Sequence, residues 1–145
     1  MAILGIDALG KLWKLSPDRC YPIEEVRRGL AQVIAVLDSI PGVHSVEGWA
    51  DHRESNEGEW QVHFHIDPAH PLAWDVLRHL NFAVNGYECA NEFAIFRPLW
   101  DPSGPRANVE WTICPQVKRL DAALFAEYLR ARLPSADAKP AAWRE

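Results

Sequence analysis

The chain is short of most of the groups that announce a particular chemistry. Its three cysteines, Cys20, Cys89 and Cys114, are odd in number and widely spaced, with no C-x-x-C pair. That argues against a disulfide framework and leaves reduced thiols, hence a reducing compartment. There is no G-x-G-x-x-G, no G-x-x-x-x-G-K-[ST], no G-x-S-x-G and no H-E-x-x-H, so the signatures of dinucleotide binding, phosphate loops, α/β-hydrolases and zincins are missing. No apolar run approaches the length of a membrane span, and the opening Met-Ala-Ile-Leu-Gly-Ile-Asp lacks the basic region of a signal peptide. A cytoplasmic protein with no membrane partner is the expectation. Positive charge is also scarce. Fifteen Lys and Arg face twenty Asp and Glu, a net −5, and nucleic acid is not expected as a direct partner because phosphate binding needs a basic footprint.

What is present describes a soluble globular domain. At 145 residues, 48% hydrophobic and 24% charged, the chain suits one domain with a real core. Seven tryptophans are many for this length, and any that stays exposed is a candidate contact residue. The negative charge is concentrated. Residues 47–92 hold nine acids against two bases, a net −7, so the flanks together carry +2.

The segment Glu59 to Asp67 organises the rest. Trp60, Val62, Phe64 and Ile66 alternate with Gln61, His63, His65 and Asp67, and successive side chains of a strand point to opposite faces. The pattern predicts a central strand with one dry and one polar face. Val43 to Asp51 reads as its hairpin partner, with Val46, Gly48 and Ala50 on the dry side and Ser45, Glu47, Trp49 and Asp51 on the polar side. Matching the dry faces places Glu47 and Trp49 beside His63 and His65.

Helices follow from the 3.6-residue period. Pro22 to Ser39 repeats Ile23, Val26, Leu30, Val33, Ile34 and Leu37, with Pro22 at its start and Pro41-Gly42 as its stop. A second helix is predicted from Asp67-Pro68 to about Leu80, with Ala73, Val76, Leu77 and Leu80 as its buried stripe. Asn91 to Arg97 reads as a strand with Phe93 and Ile95 inward. Asn108 to Cys114 reads as another, with Val109, Trp111 and Ile113 on one face. Leu12 to Ser16 reads as a short edge strand. Asp121 opens a last helix with Leu124, Phe125, Tyr128 and Leu129 as its stripe, and residues 135–145 read as a frayed tail. The order α-β-β-α-β-β-α predicts a single α+β domain: an antiparallel sheet of four or more strands, with helices on one face and the other face open. The two αββ units are nearly equal in length, but their residues do not match well enough to establish a repeat.

Four readings of the open face follow. His63 and His65 lie two apart on a strand, so both imidazoles share a face where a metal could sit; Glu47, Asp51 or His52 would complete a three-ligand site for a small metal-dependent hydrolase. The same histidines beside Glu47 would serve as an acid–base pair for metal-free phosphodiester cleavage, although the acidic surroundings repel RNA. The favoured reading is a binding surface without cofactor or resident metal. Trp49 and, on a separate loop, Trp100 supply aromatic anchors, and Glu47, Asp51, Glu54, Glu57 and Glu59 supply acids, with His63 and His65 beside them. That composition suits a basic protein partner. Self-association with Trp49 at the centre of a homodimer is the remaining option.

In size, charge and the acidic segment Glu47–Glu59, the chain resembles the small acidic immunity proteins that bacteria pair with secreted nuclease toxins, including those of contact-dependent inhibition systems. The resemblance implies binding of a basic cognate toxin and obstruction of its active site, with no catalytic residues carried over.

Overall fold

The structure, a computed structural model, describes residues 23–51, 59–89, 92–99, 110–115 and 121–145. The predicted edge strand at 12–16, Trp100 and the hairpin-tip residues His52, Glu54 and Glu57 lie outside these. Among the described residues, five antiparallel strands form one sheet, in the order β1-β2-β5-β4-β3. They are β1 (Val43–Asp51), β2 (Glu59–Ile66), β3 (Glu88–Cys89), β4 (Glu92–Leu99) and β5 (Glu110–Pro115). The described helices are α1 (Ile23–Asp38), α2 (Ala73–Asn85), α3 (Ala122–Arg132) and α4 (Pro140–Arg144). The fold is α+β with an antiparallel sheet, as the pattern predicts.

The strict alternation of β2 is realised. Trp60, Val62 and Phe64 have no exposed surface, and Ile66 packs at the edge of the same core. Across the register, Val62 pairs with Ile113 and Ile113 with Phe96, so one row of apolar side chains crosses three strands. Phe64, Phe96 and Trp111 stack over the neighbouring row, with Phe96 4.9 Å from Trp111 and 6.1 Å from Phe64 between ring centres. Helix α1 lays Val26, Leu30, Val33 and Leu37 on this face over β1 and β2, and α2 lays Val76, Leu80 and Val84 near β4. Helix α3 inserts Phe125 beside Trp60 and Tyr87.

Several expectations need correction, Leu124 among them: it is exposed, and Ala122 and Ala126 join Phe125 and Leu129 on the buried stripe of α3. Ile95 does not face the core. Ala94 and Phe96 are buried, and Ile95 pairs with Cys114 on the opposite side. Both parities of that segment carry apolar residues, so alternation could not choose; the aromatic stack on Phe96 did. Helix α2 starts later and runs longer than Asp67–Leu80. Asp67 instead makes a tight turn, its carboxylate accepting from the Ala69 N–H, and turns continue to Leu72. The helix then follows its buried stripe through Ala83 and Val84 until the Gly86 N–H closes on Phe82 O. The tail is not frayed. Residues 140–144 form α4, with Trp143 only 2% exposed. Finally, the hairpin register is irregular, as described below.

Candidate functional site

Among the described residues, no helix covers the polar face of β1, β2 and β5. Glu47 lies opposite His63, and Trp49 lies opposite Gln61 rather than a histidine. Trp49 keeps 45% of its surface exposed although it sits in a nine-residue strand. Among the described residues it is on the sheet's outermost strand, with no described strand along one flank of the indole. The backbone ladder continues to Asp51 opposite Glu59, which brings those two positions to the same end of the hairpin as Trp49.

His65 pairs with His44, not with Glu47 or Trp49. The register of Glu47 with His63 would by itself set His65 opposite Ser45, and one extra residue between His44 and Glu47 brings His44 there instead. Ser45 takes φ = 56° there, and the register slips by one across the bulge. The His44 and His65 rings stack 5.5 Å apart and 14° from parallel. His65 Nδ1 is buried without a hydrogen-bond partner among the described residues.

His63 is engaged on its other side. Its Nδ1 lies 3.2 Å from the Thr112 hydroxyl and 3.4 Å from a Glu110 carboxylate oxygen on β5. Thr112 is 3% exposed, the one polar residue buried among those described. The two histidines therefore belong to separate small clusters: His63 with Glu110 and Thr112, and His65 with His44. Among the described residues, no three His, Cys, Asp or Glu side chains converge to hold a metal. The His63, His65 and Glu47 ligand set is not assembled, because Glu110 occupies the ring atom of His63 while His44 lies flat against His65.

No protein-family model, curated protein or solved structure matches the chain. The site is judged on its geometry. No helix among the described residues is long and apolar enough to cross a membrane.

Of the residues singled out in the sequence, the structure brings Glu47, Trp49 and His63 together, with Asp51 and Glu59 joined through the backbone ladder. Sequence reading missed Glu110 and His44. Glu110 alternates with Val109, Trp111 and Ile113 and so falls on the polar side of its strand, but nothing local indicates that β5 pairs with β2. His44 was hidden by the bulge, since perfect alternation assigns it to the dry side. The other two described histidines serve the scaffold. His70 Nδ1 accepts from the Leu72 N–H in the turn before α2, and His79 Nε2 donates to the Trp143 carbonyl.

Proposed function

We propose that this chain is a non-enzymatic protein-binding module that receives a basic protein on the helix-free face of its sheet, in the manner of an immunity protein that neutralises a cognate toxin. One observation carries the reading: Trp49 stands 45% exposed on an edge strand, with Glu47 two residues away. An indole in that position has about half its apolar surface still to lose, and aromatic anchors ringed by charge are the usual centre of protein interfaces. Glu47 and Glu110, on strands either side of β2, add negative charge to the same face. Two clefts formed by described residues lie away from Trp49, one between α1 and the end of α3 and one between α2 and the strands β4 and β5.

The test begins with capture of a partner from the source organism on immobilised full chain. Stopped-flow association is then followed at low and high salt. Trp49→Ala should raise the off-rate by tenfold or more, equivalent to about 1.4 kcal/mol or greater at a contact of this kind. Glu47→Gln with Glu110→Gln should slow association and flatten its ionic-strength dependence, because charges at an interface rim chiefly set the on-rate. An acidic partner, or a basic one indifferent to all three substitutions, would remove the proposal.

A further inference from the structure

Three of the chain's six histidines stand side by side on the polar face of the sheet. Residues opposite each other in a ladder share a face. One row across it runs Glu47, His63, Thr112, Arg97 over β1, β2, β5 and β4. The next row runs His44, His65, Glu110. His63 therefore sits between the two acids of these rows. Glu47 is opposite it on β1, and a Glu110 oxygen on β5 is 3.4 Å from its Nδ1. His65 has Glu110 opposite on one side and His44 on the other. The other titratable groups on these strands stand further off. Cys114 lies one row beyond Thr112, and Asp51 and Glu59 pair two rows beyond His63. Asp67, two residues past His65, turns its carboxylate to the Ala69 N–H.

We propose that this face is a proton-gated docking site, which holds its basic partner near neutral pH and releases it on acidification. The inference rests on the reading of the face given above. Free histidine side chains change charge between about pH 5 and 8, while free glutamates stay ionised to about pH 4.3. With neutral imidazoles the two rows carry two acids and one base, a net −1; with all three protonated they carry +2. The sign of the face reverses. The position of His63 sharpens the effect. Once protonated, its Nδ1–H donates to Glu110 while its charge faces Glu47, so both carboxylates are met within the chain and lost to a partner. The pair is half sheltered, at 24% and 33% exposure, so salt screens it less than a charge at the rim. Thr112, only 3% exposed, has its hydroxyl 3.2 Å from the same Nδ1. A hydroxyl can donate to the neutral ring or accept from the protonated one, so His63 has a partner in both states. Proton and partner therefore compete, and each weakens the other's binding by the same factor.

Calorimetric titration of the full chain with hexa-arginine amide, at about pH 7.5 and about pH 5.5, reads the competition on either side of the histidine range. Ionic strength is held low, at about 20 mM, to keep surface charges unscreened. The parent should bind about tenfold more weakly at the lower pH, the effect of three charges at an exposed site. His63→Gln keeps a polar side chain that takes no proton, and should cut that ratio to about threefold. The triple variant His44→Gln, His63→Gln, His65→Gln should flatten it. Circular dichroism and the thermal midpoint establish that each variant is folded. Glu47→Gln with Glu110→Gln is the independent check: at the higher pH it should bind as weakly as the parent does at the lower. A tenfold ratio that survives in the triple variant would overturn the inference, since the whole molecule's charge and not this face would then be responsible. A parent ratio near one would overturn it as well and leave the proposed function standing. A peptide bound at neither pH would overturn it too, and the proposed function would then rest on partner capture alone.

Discussion

Ser45 is the one described residue other than glycine with positive φ, at 56°. An L-residue in that region carries about 1–2 kcal/mol of steric cost, from the approach of Cβ to the following carbonyl. Glycine avoids this but loses more chain entropy on folding, about 0.5–1 kcal/mol. Ser45→Gly should therefore be neutral or stabilising by up to ~1 kcal/mol, and Ser45→Val destabilising by at least 1–2 kcal/mol, its branched Cβ being worse placed. Urea melts decide both. The strained residue makes the bulge that turns β1, an edge strand, out of flat register, a known protection against edge-to-edge pairing. A second residue-scale expectation concerns the dry face. Phe64 has no exposed surface and stacks on Phe96, so Phe64→Ala should cost about 3–5 kcal/mol. A loss below ~1 kcal/mol in the same melts would contradict its place in the core. Alternation alone identified Phe64. The bulge at Ser45 could not be read, because serine is not a residue that signals positive φ.

Between elements, α1 approaches the start of α3 closely. A Cβ placed on Gly29 would stand 2.7 Å from the Ala123 backbone nitrogen and 3.0 Å from Ala122 Cβ. Alanine is the better helix former by about 1 kcal/mol, so propensity by itself predicts that Gly29→Ala stabilises α1. Sterics decide otherwise. The obstacle is backbone at the first turn of α3, which cannot swing aside as a side-chain end can, and overpacking of this sort costs about 1–3 kcal/mol. The net expectation is a destabilised protein with a more helical isolated α1 peptide, distinguishable by melts of the one and circular dichroism of the other. The same end of α3 is held by Asp121, whose carboxylate accepts from the Ala123 and Leu124 N–H groups. Asp121→Ala should cost about 1 kcal/mol. That cap was legible from an aspartate preceding an apolar stripe. The Gly29 contact was not, since it depends on which helix crosses there.

At the scale of the whole molecule, the C-terminal segment closes the structure. Trp143 is buried to 2% exposure and meets His79 edge-on at 5.2 Å. Its backbone carbonyl accepts from both His79 Nε2 and Arg78. A five-residue helix has no stability of its own, so α4 exists because a tryptophan docks on α2. Trp143→Ala should cost about 3–5 kcal/mol, and a chain ending at residue 139 should lose a comparable amount. Thermal and urea unfolding measure it. A truncated chain with an unchanged midpoint would mean that the segment only rests on the surface.

Local composition determined the class of fold, because periods of two and of 3.6 residues dictate which side chains share a face whatever surrounds them. It therefore placed α1, β1, β2 and β5, the dry face of β2, and the polar face bearing Glu47, Trp49 and His63. Where both parities of a segment are apolar, as around Ile95 and Phe96, period carries no information, and only the stack with Phe64 and Trp111 chose. Tertiary structure also decided the partners of the histidines. His63 meets Glu110 and His65 meets His44 because strands distant in sequence pair and one strand bulges, and neither event leaves a mark on the neighbouring residues. The same holds for residues 140–144, too short to show a period and so read as a tail until α2 supplies the surface that Trp143 needs.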